Sequence, residues 1–197
     1  MSSPSRNART GAVALALGAA SQMAAGLLGR VNLPWAYAGW LLLVFGALCL
    51  CDELGARRPL NRAGIIMLEV GFAARTVMLI VPEPLVTVRA ELTFVLSCLL
   101  ALLLWSVALM HRSERPKAIG MFGTLLSGGG LAMLAAAHIA VAGVGYLGFA
   151  DLFAALRRPD AQSAQATITL CAIMAAWASA VAGLMWTGGI NGGVQPS

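Results

Sequence analysis

Charged residues are scarce in this sequence. Asp, Glu, Lys and Arg together make up 11% of its 197 residues, whereas hydrophobic residues make up 59%. A soluble domain carries about 25% charged residues, so the composition excludes an ordinary soluble fold. The net charge of +5 would suggest nucleic acid as the partner of a soluble protein. In an apolar chain the basic residues instead mark one side of a membrane, and we expect no nucleic-acid partner.

Histidine and cysteine are also few, with two and four residues respectively. His111 follows the fourth predicted helix on the inner side of the membrane, whereas His138 lies near the outer end of the fifth. Their separation of about 30 Å excludes a two-histidine metal or haem site within one chain. Cys49 and Cys51 are two apart on a predicted helix and point in nearly opposite directions, so they cannot act as a redox pair. We therefore expect no metal and no cofactor, and His138 remains a polar candidate within a predicted span.

Long uncharged runs fill most of the chain, and about 20 helical residues are enough to cross a bilayer. They predict an all-α fold, a polytopic transmembrane bundle with six helices. The predicted helices cover residues 11–29, 35–51, 63–81, 85–110, 119–142 and 165–187. A polar tail over residues 1–10 precedes this transmembrane domain of residues 11–188, and a short tail over residues 189–197 follows it.

The distribution of basic residues predicts the orientation of the bundle. If the N-terminus is cytoplasmic, more basic residues lie inside than outside, which supports both termini in the cytoplasm of a bacterial-type inner membrane. The inner group is Arg6, Arg9, Arg57, Arg58, Arg62, Arg112, Arg115 and Lys117, and the outer group is Arg30, Arg89, Arg157 and Arg158. Trp40 is then expected near the outer interface and Trp105 near the inner one.

The N-terminal stretch has a rival interpretation as a cleavable signal peptide. Arg6 and Arg9 precede an apolar stretch that contains small residues between Ala19 and Ala25. This stretch, residues 11–29, is longer than the usual apolar core of about 7 to 15 residues, so we expect a retained helix.

Between the fifth and sixth predicted helices, segment 149–158 has an amphipathic pattern. Phe149, Leu152, Phe153 and Leu156 recur at helical spacing. The pattern predicts a short helix that lies on the outer membrane surface or caps the bundle. The simplest interpretation of this helix is a lid without a ligand.

Two charges of opposite sign are predicted at equal depth in neighbouring helices. Arg75 lies about six residues before the third predicted helix ends, and Glu91 lies about six residues after the fourth begins. Burial of an arginine costs much less free energy when a carboxylate is paired with it. The spacing therefore predicts an ion pair between Arg75 and Glu91. The pair would fix the register of the hairpin or, alternatively, form a substrate or proton site.

Glu69 is a third charge within a predicted span, about one and a half turns from its cytoplasmic end. No basic residue of the fourth helix matches its depth. Apolar surroundings favour the protonated form of a carboxyl, which is the form that a general acid or a proton carrier needs. The alternative is that Glu69 extends to the inner interface and has no chemical role.

Small residues mark the helix faces that approach other helices. Ala172, Ala176 and Ala180 lie on one face of the sixth predicted helix, and Gly18 and Gly26 lie on one face of the first. Such faces allow close backbone approach, either within the bundle or between two copies of the chain.

One short segment resembles a known family. The residues from Asp52 to Arg57, DELGAR, are similar to the opening of the CDP-alcohol phosphatidyltransferase motif. The resemblance implies metal-dependent head-group transfer at the cytoplasmic end of the second helix. Glu53 stands where the family has glycine, and Val70 and Ala74 stand at the positions of two metal-binding aspartates. The ligands that the family's reaction requires are therefore missing from these positions.

These features favour a non-enzymatic accessory subunit, or a small binding or transport component of the membrane. The expected partners are membrane lipid and either a membrane protein or a second copy of the chain. The alternative is an intramembrane enzyme for a lipid-soluble substrate, acting by isoprenoid or terpene cyclisation or by phospholipid head-group chemistry. In that case Glu69, Asp52 and Glu53 would be the catalytic carboxyls.

Overall fold

The fold is helical throughout the part of the chain that the computed structural model describes. That part comprises residues 5–28, 34–54, 58–81, 83–111, 114–142 and 161–188, and it contains no strand. The helices are α1 (Arg6–Leu27), α2 (Pro34–Leu54), α3 (Pro59–Ile80), α4 (Pro84–Met110), α5 (Glu114–Ala142) and α6 (Ala161–Trp186). Within these described residues, the predicted all-α fold with six helices is confirmed.

Four of the helices begin at local start signals in the sequence. α2, α3 and α4 each begin at a proline, which has the backbone geometry of a first helical residue and lacks the N–H that would go unsatisfied there. The Ser5 hydroxyl accepts a hydrogen bond from the Ala8 backbone N–H at 3.0 Å and so caps the start of α1. As a result α1 begins five residues, and α3 four residues, before the starts predicted from charge alone.

The six helices form two groups of three. In one group α1 packs between α2 and α6, and in the other α4 packs between α3 and α5. Lighter contacts of α2 with α3 and of α5 with α6 join the groups. We call these groups the α1 layer and the α4 layer.

Contacts within a layer use small residues, whereas contacts between the layers use aromatic rings. A Cβ atom added to Gly18 of α1 would lie 2.8 Å from the Gly39 carbonyl oxygen of α2, so these backbones nearly touch. Between the layers, the rings of Trp105 and Trp177 stack with centroids 6.4 Å apart. Trp40 meets Phe94 edge to face at 4.9 Å. We call this set of ring contacts between the two layers the aromatic seam.

The outer surface of the bundle is apolar. Large hydrophobic side chains are exposed on every helix, for example Leu17, Phe45, Ile66, Leu100, Leu125 and Trp186. Three helical stretches are long and apolar enough to cross a membrane: Trp35–Leu54, Pro59–Ile80 and Leu92–Met110. The fold is thus compatible with a membrane protein, because a bilayer solvates such a surface and water does not.

Two features of the sequence fall beyond the part of the chain that the structure describes. The predicted amphipathic segment 149–158 lies outside the described residues, as do residues 189–197. Of the predicted polar tail, residues 6–10 belong to α1.

Candidate functional site

The outward side of α3 carries a carboxyl among apolar side chains. We call it the Glu69 face, and it comprises the exposed residues Arg62, Ile66, Glu69, Val70, Ala73 and Val77. Their spacing of three and four residues places them on one side of the helix. The other side of α3 packs into the bundle and buries Gly64, Leu68 and Arg75. Glu69 therefore points away from the interior of its own chain.

Glu69 lies midway between Pro59 and Ile80, about 15 Å from each end of α3. The sequence predicted it nearer the cytoplasmic end, because the predicted helix began at residue 63 and the actual helix begins at Pro59. A glutamate side chain is too short to reach either end from this position. Arg62 is the nearest basic residue on the same face, about 10 Å away along the axis, which is too far for an ion pair.

Arg75 lies at the interface between α3 and α4. It is 5% exposed, and its guanidinium carbon lies 5.4 Å from the centre of the Phe94 ring. A desolvated cation–π contact of this kind contributes up to about 2 kcal/mol. Glu91 precedes Phe94 by three residues, so the two positions share one side of α4. The Glu91 side chain lies outside the described residues, and its ion pair with Arg75 stays a prediction.

Asp52 and Glu53 lie at the end of α2, beside the start of α1. The Ser5 hydroxyl donates a hydrogen bond to Oε1 of Glu53, while Asp52 is exposed. The Cys51 thiol lies 3.9 Å from the Asn61 carbonyl oxygen, so the end of α2 is beside the start of α3, and Glu69 lies about 12 Å further along α3. The structure therefore does not bring the three candidate carboxyls together. Residues 55–57, which complete the resemblance to the phosphatidyltransferase motif, lie outside the described residues.

The tryptophans of the aromatic seam are buried. Trp40 and Trp105, which the sequence placed at the membrane interfaces, turn their rings into the core. Their indole N–H groups, and that of Trp177, have no hydrogen-bond partner among the described residues. Two glycines face these rings, because a Cβ atom at Gly64 or Gly123 would clash with the indole of Trp105 or Trp177. The prediction from position along the helix did not show that these rings are buried. The signal for burial in the sequence is a glycine on the neighbouring helix that leaves room for the ring.

A groove opens on the outer side of the α1 layer. Its volume is about 410 Å³. It is lined by Arg9, Thr10, Val13, Ala14 and Leu17 of α1, by Leu42 and Phe45 of α2, and by Trp186 of α6. One end is cationic and the rest is apolar. We call it the Arg9 groove, and sequence analysis did not find it, because only the packing of α1 between α2 and α6 assembles its walls.

The histidines and cysteines are dispersed. His111 is exposed at the end of α4, with its Nδ1 atom 2.8 Å from the Val107 carbonyl oxygen. His138 lies near the end of α5 that is farther from His111, and its side chain is outside the described residues. Cys49, Cys51 and Cys98 are buried free thiols. Within the described part of the chain, no three His, Cys, Asp or Glu side chains are grouped so that they could hold a metal ion.

Comparisons with protein-family models, with characterised proteins and with solved structures found no match to this chain.

Proposed function

We propose that the protein is a multi-pass inner-membrane protein that serves as an accessory subunit, and that it binds its partner through the Glu69 face. Both termini are cytoplasmic in this proposal, and all six helices span the bilayer. The observation that supports it is the position of Glu69, exposed at the middle of a helix that is apolar enough to cross a membrane.

A carboxyl in this position would otherwise face lipid. Acidic and basic residues at the centre of a spanning helix cost about 2.5 to 3.5 kcal/mol on insertion scales, and they normally face a partner or a cavity. Glu69 faces away from the described part of its own bundle, so we expect a second protein to supply the partner group. The expected partner is a transmembrane helix with a basic residue or a hydrogen-bond donor at mid-depth.

The neighbours of Glu69 are suited to helix packing. Ala73 is small and lies one turn away on the same side, which allows a partner backbone to approach closely. Ile66, which is 52% exposed, and Val77 extend the apolar contact in both directions. If a second copy of this chain packed through the same face, it would present no basic group at the depth of Glu69. This favours a different protein as the partner.

The enzyme alternative has less support. An acid catalyst for a lipid-soluble substrate needs a carboxyl inside an apolar pocket. The residues that line the Arg9 groove include no carboxyl, and Glu69 lies on a different helix from the α1 residues that form its floor. Asp52 and Glu53 at the end of α2 remain candidates for phospholipid head-group chemistry.

Site-specific photo-crosslinking tests the subunit proposal. A photoreactive residue at Ile66 should crosslink one stoichiometric partner, at a segment that carries a basic or hydrogen-bonding residue, and Glu69→Leu should abolish the crosslink. The same probe at Leu125 of α5, which is 74% exposed, is the matched control and should capture no partner. Crosslinks to lipid alone, or equal capture from both positions, would exclude the proposed interface.

Stability provides the complementary measurement. Glu69→Leu removes a charge from a lipid-facing position, so the isolated protein should become more stable by about 2 kcal/mol while it loses its partner. A catalytic or proton-carrying role predicts instead that Glu69→Gln keeps the complex and the fold but loses activity, because an amide cannot deliver a proton. Unfolding in mild detergent and copurification of each variant separate the two roles.

A further inference from the structure

We infer that the Arg9 groove binds one anionic phospholipid, with its phosphate at Arg9 and one acyl chain along α1 towards Leu17. This inference depends on the membrane location of the protein and not on the partner that binds the Glu69 face.

The shape of the groove fits an acyl chain. Ala14 is a small residue of the groove floor, and the longer side chains of Leu42 and Phe45 rise from α2 on one side. Trp186 of α6 forms the opposite wall and is 55% exposed. From Thr10 to Leu17 the groove follows α1 for about 10 Å, which is a third of the hydrocarbon thickness of about 30 Å.

The charge of the groove selects the head group. Arg9 is the cation of its lining, and it lies one turn from the start of α1, where a spanning helix meets the lipid head groups. The Thr10 hydroxyl lies beside it and donates to the Arg6 carbonyl at 3.0 Å, so its oxygen can still accept a hydrogen bond. Trp186, at the end of α6, lies at the same level as Arg9 and Thr10. Its neighbour Met185 is so close to Gly11 of α1 that a Cβ atom added to Gly11 would clash with it. An arginine at the head-group level with an apolar channel leading inward matches a phosphate that carries an acyl chain.

A protein helix fits the groove less well. A partner helix would place its own backbone over Arg9 and would have to supply an acidic group at the level of the head groups. The phosphate of an anionic lipid already supplies that negative charge. Its flexible acyl chain can also follow a narrow groove along α1 between α2 and α6. A protein occupant is nevertheless one outcome of the test.

Quenching of Trp186 by brominated lipids tests the inference. Trp35 is the other exposed tryptophan, so Trp35→Phe leaves Trp186 as the exposed fluorophore. The protein is reconstituted in phosphatidylcholine vesicles that contain either brominated phosphatidylglycerol or brominated phosphatidylcholine at the same mole fraction. Brominated phosphatidylglycerol should quench Trp186 more strongly, and added salt should reduce the difference.

Two variants locate the lipid within the groove. Arg9→Gln should lower the preference for phosphatidylglycerol on the order of fivefold, whereas Arg58→Gln, at the exposed arginine just before α3, should leave it unchanged. Val13→Phe narrows the groove and should reduce the preference although Arg9 is still present. Equal quenching by the two lipids, full preference in Arg9→Gln or full preference in Val13→Phe would each overturn the inference. Weak quenching by both lipids that rises on dilution of the protein would show a protein occupant instead.

Discussion

At the residue scale, the two charges of α3 have opposite surroundings. Arg75 is buried against α4 and lies over the Phe94 ring, whereas Glu69 is exposed on the far side of the same helix. Burial of an arginine needs compensation, and the aromatic ring provides part of it. Glu69 has no such compensation from the described residues. Arg75 therefore contributes to the fold of this chain, whereas we assign Glu69 to the binding of a partner protein.

The predicted pair of Arg75 and Glu91 is tested by a double-mutant cycle. Arg75→Leu alone and Glu91→Leu alone should each destabilise the protein by about 3 kcal/mol, because each would leave an uncompensated buried charge. The double variant should be milder than the sum of the two. Unfolding is followed by circular dichroism in detergent, with Arg62→Leu as an exposed control. Additive losses would mean that the two residues are not coupled.

At the element scale, the helices were predictable and their faces were not. Charges and prolines end the apolar runs, so the number of helices followed from the sequence, and their bounds followed to within about five residues. The side that each helix turns inward did not follow, because lipid and a protein core are equally apolar and leave no amphipathic pattern. Glu69 shows the difference: its helix was predicted, whereas its outward direction depends on how α3 packs against α4.

The close approach of α1 and α2 gives an element-scale prediction. Gly18→Ala should destabilise the protein by about 2 kcal/mol, since the added Cβ atom would lie within 3 Å of α2 backbone atoms. Gly128→Ala in α5 is the matched control, because nothing lies within 4 Å of its added Cβ atom. That variant should be neutral or more stable by up to about 1 kcal/mol, as alanine is the better helix former. Equal effects of the two substitutions in a detergent unfolding assay would contradict the close packing.

At the scale of the whole molecule, the proposed topology places the turn between α3 and α4 outside the cell. Glu83 in that turn and His111 at the end of α4 are both exposed. Cys49, Cys51 and Cys98 are buried, which limits background reaction once Cys171 is replaced by Ser. In intact cells an impermeant thiol reagent should label Glu83→Cys and should spare His111→Cys until the membrane is opened. The reverse pattern would invert the proposed orientation.

The position of α1 between α2 and α6 has a consequence for how the chain is assembled. The hairpins α1 with α2, α3 with α4, and α4 with α5 join neighbours in the sequence. In the proposed six-span topology, each can therefore form as soon as its second helix has entered the bilayer. The contact between α1 and α6 joins segments that are more than one hundred residues apart, and it must wait until α6 has been synthesised. Until then the side of α1 that α6 will cover is open to lipid. The nascent chain therefore closes its bundle in a single late step, in which α6 docks on a helix that was inserted before it.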